Sequence, residues 1–212
     1  MTRLHKNTYF SRLTTYQLVA YSLAMDMRDQ ILTCAQRLVQ QRGFNGFSYA
    51  DIAEEVGIRK ASLHYYFPTK SNLGLVLIDI YTTQLGGELL RISGSSLRTD
   101  AKLSAYVALY RGSLHAGLMC LGGMLASEVM TLHPTILPSI KQFFILNTEW
   151  LTEVLAEGKS QELFALSGTN INHANMLLSA LQGALMITRA TGDHNAFDQT
   201  AALLIADLSR KG

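Results

Sequence analysis

An all-α fold, built as a three-helix N-terminal head on a larger helical body, is what the 212-residue sequence predicts. Three observations predict it. Apolar residues return at three- and four-residue steps along most of the chain, which gathers them on single helix faces, and no run alternates as a half-buried strand would. Only 3 prolines interrupt the chain, so long helices can form. Hydrophobic residues make up 48% and charged residues 16%, a composition that supplies a sizeable core and does not describe a disordered chain.

The elements follow in order. Residues 1–24 carry Arg3, Lys6 and Arg12 and no acid. The mildly apolar stretch at 18–24 contains Tyr21 and Ser22 and is too polar for a secretory signal. These residues are read as an upstream extension, such as an early start-codon assignment produces, with a functional basic arm as the alternative. The first clear helix spans 27–42, with Ile31, Leu32, Ala35, Leu38 and Val39 on one face and Gly43 ending it. Ser48 stands where an N-cap belongs, with Asp51 three positions on, and opens a short helix over 49–56. Gly57 breaks that helix. Another runs over 59–66 until Pro68 stops it. Thr69 can cap a long helix over 70–91 whose Leu73, Leu77, Ile80, Leu85 and Leu89 point inward. Further helices are expected at 100–116, 122–131, 135–157, 170–190 and 196–210, separated by glycine, serine and proline punctuation. The chain is accordingly divided into 1–24 (extension), 25–72 (head) and 73–212 (body).

The net charge is +2, unevenly spread. Residues 25–75 carry six basic and five acidic side chains, whereas 76–212 carry nine and eleven. The basic excess thus lies toward the N-terminus, where a nucleic-acid-binding head would need it. The 2 cysteines, Cys34 and Cys120, make neither a disulfide framework nor a four-ligand zinc site, so a reduced, cytoplasmic setting is expected. No apolar run approaches the ~20 residues that span a bilayer, and no membrane association is expected. The 6 histidines lack metal-ligand spacing, and there is neither a Gly-x-Ser-x-Gly elbow nor a phosphate-cradling glycine loop. No catalytic residue, metal or cofactor is therefore assigned.

The informative stretch is residues 48–73. Ala53, Gly57 and Leu63 have the spacing of a helix-turn-helix: a small residue for close packing, a glycine for the turn, and an apolar anchor for the second helix. That second helix would expose Arg59, Lys60, Ser62, His64 and Tyr65, with no acid between Ile58 and Leu73. Such a helix fits the major groove of DNA. The run Gly57, Ala61, Ser62, Leu63, His64, Tyr65, Tyr66, Phe67, Pro68 and Lys70 resembles the signature of the TetR family of transcriptional regulators. His64 stands where that family usually has tyrosine, and Ser71 where many members have glutamate.

The resemblance implies that Lys60 and Ala61 read bases, and that Ser62, His64, Tyr65, Tyr66 and Lys70 contact bases or phosphates. It also brings Ser48 and Tyr49 close to phosphates. Double-stranded DNA carrying a palindromic operator is the implied partner, and a basic arm at 1–24 would touch the same DNA. Homodimerisation through the two C-terminal helices is expected, with Leu177, Leu178, Leu181, Ala184 and Leu185 on one and Ala201, Leu204, Ile205 and Leu208 on the other; the same residues would equally close the monomer core. In the body, Tyr106, Tyr110, His115, Met119, Met124, Phe143, Asn147 and Trp150 have the character of a pocket for a small apolar inducer, or of ordinary core. The segment 120–128 resembles the electrophile-responsive subgroup of the family. That leaves Cys120 with two readings, a reactive sensor or a small buried hydrophobe, while Cys34 is read as structural. The resulting expectation is a repressor released by a small-molecule or electrophilic inducer; the alternative is a regulator controlled by a protein partner.

Overall fold

The computed structural model describes the backbone of residues 15–209 and the side chains of residues 27–209. Arg3, Lys6 and Arg12, and with them the proposed basic arm, lie outside the described residues. Among the described residues all regular structure is helical.

The head comprises α1 (Thr15–Arg42), α2 (Tyr49–Val56) and α3 (Lys60–Tyr66). The first helix begins twelve residues earlier than expected, because residues 15–26 contain neither proline nor glycine to stop it. Ile31, Ala35, Leu38 and Val39 of α1 close against Ile52, Leu63 and Phe67 in one core. Helix α4 (Lys70–Ser93) connects head to body. Among the described residues it is the one helix long and apolar enough, by length and composition only, to cross a membrane. Here Leu73, Leu77, Ile78, Leu89 and Ile92 are buried in protein.

The body adds α5 (Thr99–His115), α6 (Leu121–Ser127), a 3-10 turn (Pro134–Ile136), α7 (Leu137–Ser160), α8 (Asn170–Thr191) and α9 (His194–Leu208). Helix α6 ends four residues sooner than its sequence pattern suggests. Ser127 turns its hydroxyl back onto the Met124 carbonyl at 2.7 Å, and Thr131 does the same to Glu128 at 2.9 Å. Such local bonds compete with helix continuation.

Of the two readings of the C-terminal apolar rows, the structure shows the monomer core. Leu177, Leu178, Leu181, Ala184, Leu185, Ala201 and Leu208 are all buried within this one chain, with Leu204 and Ile205 packed against them. The bare face of α8 is the opposite one, carrying Met176, Gly183, Met186 and Ile187; Leu203 of α9 is also bare. The most apolar stripe went to the monomer core, since every helix must first bury its own face.

Candidate functional site

The head is held by tertiary bonds that also aim its surface. Ser48 caps α2: Ala50 N–H donates to Ser48 Oγ at 3.2 Å, while Asp51 Oδ2 accepts from the Ser48 N–H and hydroxyl, each at 2.7 Å. These bonds hold the Asp51 carboxyl below its ordinary pKa. Gly57 adopts φ 74°, ψ 31°, the left-handed conformation in which a side chain is strained, and so permits the turn into α3. Leu63, fully buried, anchors α3.

This leaves Arg59, Lys60, Ala61, Ser62, His64 and Tyr65 on the exposed side, Tyr65 with 82% of its surface accessible. Tyr66 is half-buried, edge-on to Tyr65 at 5.3 Å. The His64 ring lies 4.9 Å from that of Tyr49, and its Nδ1 is 3.2 Å from the Pro68 carbonyl. A carbonyl only accepts, so Nδ1 carries the proton and Nε2 remains available for another partner.

Two residues expected at the DNA surface point elsewhere. Tyr49 is buried, and its hydroxyl donates to the Phe67 carbonyl at 2.8 Å; burial raises its pKa to about 12. Lys70 donates to the carbonyls of Phe44 and Phe47, with its ammonium 4.8 Å and 4.1 Å from the centres of their rings. It fastens the start of α4 to the α1–α2 turn, and burial lowers its pKa.

In the body, Tyr106, Tyr110 and Asn147 form a buried triad. Both hydroxyls reach Asn147 Oδ1, at 2.7 Å and 3.3 Å, and lie 2.8 Å from each other. Asn147 Nδ2 donates to Phe143 O at 2.7 Å. Trp150 stacks on Tyr106 at 5.2 Å and donates to Ser93 Oγ at 2.8 Å. Every polar tip has a partner within the protein. The cavity beside Tyr106, walled by Leu103, Leu151, Leu181 and Ile205 among others, measures about 10 Å³, no more than one water needs. His115 is not part of this group: it is exposed at the end of α5, 6.0 Å from the His194 ring. Met119 is buried and Met124 half-buried.

Cys120 is the N-cap of α6 and is buried. Gln182 Nε2 donates to its sulfur at 3.3 Å, and Tyr81 and the backbone of Gly122 and Gly123 lie beside it. Burial raises the thiol pKa, while these neighbours oppose the rise. Gly122 has no room for a side chain, since a Cβ would lie 2.3 Å from the Phe143 ring. Tyr81 and Gln182 escaped the sequence reading because each lies far along the chain from Cys120.

A head whose third helix, α3, bares a basic, acid-free face at the end of a helix-turn-helix defines a DNA-binding regulator. Residues 31–75 match the family model of bacterial regulatory proteins of the tetR family. The fold is similar to that of a TetR-family transcriptional regulator from Agrobacterium tumefaciens: 31% identity over 88% of this chain and 99% of that one, TM-score 0.85. A TetR regulator from Legionella pneumophila is 32% identical over 84% of this chain and 95% of the other, TM-score 0.75. The chain belongs to the TetR family of transcriptional regulators. It is also 22% identical, over 75% of its length and 82% of the relative's, to the HTH-type transcriptional repressor NemR of Escherichia coli.

Proposed function

We propose that the protein is a homodimeric repressor that binds a palindromic operator through α3 and leaves it when an electrophile modifies Cys120. The observation that carries this reading is the Cys120 site: a buried thiol at the N-cap of α6, beside Tyr81 of α4 and bonded to Gln182 of α8. The Gln182 donor opposes the rise that burial imposes on the thiol, and the thiolate that remains is the reacting form. The filled core around Tyr106 and Asn147 supports a covalent trigger over a bulky reversible inducer. Addition to an activated alkene forms one S–C bond, breaks the C=C π bond and places the thiol proton on the neighbouring carbon. The added bulk has no space between Tyr81 and Gln182 and displaces the helices that bear them.

Arg59, Lys60, Ser62, His64 and Tyr65 are the proposed DNA-facing set, with Ala61 close to the bases, Tyr66 shared with the core, and Ser48 beside a phosphate. Tyr49 and Lys70 support them from within. The bare stripe of α8 with Leu203 of α9 is the proposed dimer face, where a second copy completes a four-helix bundle. A second reading, control by a protein partner, draws support from the same filled core.

The test is operator binding with and without N-ethylmaleimide, using DNA selected from a random palindrome library. Binding that weakens with salt and is lost on modification in the wild type but not in Cys120→Ser supports the proposal. Loss in both variants refutes Cys120 as trigger, and no response in either favours the partner reading.

A further inference from the structure

The body grips the head at both ends of α6, and at the Cys120 end the grip extends to α8. Gln40, near the end of α1, is 3% exposed, an unusual depth for a glutamine. Its Nε2 donates to the Met119 carbonyl at 2.8 Å, and the Met119 N–H donates back to the Gln40 main-chain oxygen at 3.1 Å. Arg189, in the last turn of α8, donates to Gly117 O at 2.8 Å and to Gln41 O at 2.7 Å. Gln41 O belongs to the last turn of α1, where carbonyls lack intrahelical partners and the helix dipole is negative, so a guanidinium fits there.

At the other end of α6, Glu128 accepts from the Asn45 N–H at 3.0 Å, and Asn45 Nδ2 donates to Thr131 Oγ1 at 2.7 Å. Gly43, at φ 84°, allows this approach: a Cβ there would sit 2.2 Å from Glu128 Oε1. The residue after Met119 is Cys120, which Gln182 of α8 also touches. The short segment 117–120 therefore joins the head's α1, the N-terminus of α6 and the dimer-face helix α8.

We infer that Gln40 and Arg189 are positioning residues that set the angle at which each head leaves α8, and with it the spacing of the two heads on DNA. The inference rests on the proposed dimeric DNA-binding reading. Arg189 links α8 to α1 directly, so the head is referenced to the dimer face without passing through α4. Gln40 holds the backbone of the residue next to Cys120, so a displaced Cys120 pulls on α1.

The test is a set of three operators: the selected palindrome, and versions with the half-sites one base pair closer and one farther apart. Each such step moves a half-site by ~3.4 Å and turns it by roughly 34°. Affinities are read by fluorescence anisotropy, alongside helicity and dimer mass. Arg189→Ala and Gln40→Leu are expected to weaken the selected operator about tenfold, the scale of lost hydrogen bonds to a charged or buried group, while the shifted operators change little. The spacing preference then flattens at unchanged helicity and dimer mass. Arg189→Lys, able to hold one carbonyl, restores part of it. An equal loss on all three operators, or unchanged affinities in Arg189→Ala, overturns the inference and leaves the regulator reading standing. Failure of the wild type to select any operator removes that reading and the inference with it.

Discussion

The Tyr49 hydroxyl donates to the Phe67 carbonyl at 2.8 Å, so the first residue of α2 is bonded to the residue that ends α3. The two helices of the DNA-reading motif are thereby clamped across 18 residues of chain. Tyr49→Phe leaves the Phe67 carbonyl without this donor in a buried setting. The expected cost is about 1–3 kcal/mol of stability, read by urea unfolding. Operator affinity of the folded fraction should change far less than in Lys60→Ala; a larger loss would mean that Tyr49 meets DNA itself.

Lys60 and Lys70 should separate in their salt response. Lys60 is exposed, and its removal should lower the slope of log affinity against log salt by about one phosphate contact, ~0.9. Lys70 is already bonded to Phe44 and Phe47, so Lys70→Ala should destabilise the head and leave the slope nearly unchanged. Titrating both variants from low to high salt distinguishes the roles.

The Cys120 thiol should react faster as pH rises. Burial holds its pKa above the usual 9.0, so at neutral pH the thiolate is the minor form, and alkylation should accelerate about tenfold per pH unit. Gln182→Leu removes a donor that lowers this pKa, so the rate at pH 7 should fall and the profile move toward higher pH. Mass spectrometry of maleimide addition over time measures both. A profile unmoved by Gln182→Leu would separate that contact from reactivity.

Cys34 predicts an alkaline limit. Burial, with Glu55 beside it, raises its pKa from 9.0 to about 11. A raised folded-state pKa means the unfolded chain loses this proton first. The contribution is therefore full below pH 9 and lost as pH rises toward 11. Cys34→Ala should show a shallower loss of stability across that window in denaturant melts at successive pH values.

Much of the head was legible because its signals are local. Ser48, Gly57 and Pro68 each act on the backbone within a few residues, and the boundaries of α2 and α3 follow from them to within a residue. What escaped was tertiary. Tyr49 and Lys70 have surface-like positions in the motif, but their partners are carbonyls 18 to 26 residues away. Cys120 was legible as a thiol near a helix start, while its cage comes from Tyr81 on α4 and Gln182 on α8. Aromatic composition suggested a pocket, yet Tyr106, Tyr110 and Asn147 satisfy one another.

The proposed dimer face offers the sharpest contrast between pattern and packing. Leu177, Leu181 and Leu185 are the obvious apolar row of α8, and all three are core residues of the single chain. A charge there should unfold the protein, since an unpaired buried carboxylate is strongly disfavoured. Met186 and Ile187, 57% and 60% exposed, lie on the other side of the helix. Gly183 shares that side, and a Cβ added to it meets nothing within 4 Å, leaving room for a close backbone approach. Ile187→Asp should therefore keep its helicity and melting behaviour at low concentration while sedimenting as a monomer. Because a palindrome is read by two heads held together, the same variant should lose operator binding yet retain weak, salt-sensitive affinity for any DNA. A variant that remained a dimer would move the interface away from α8.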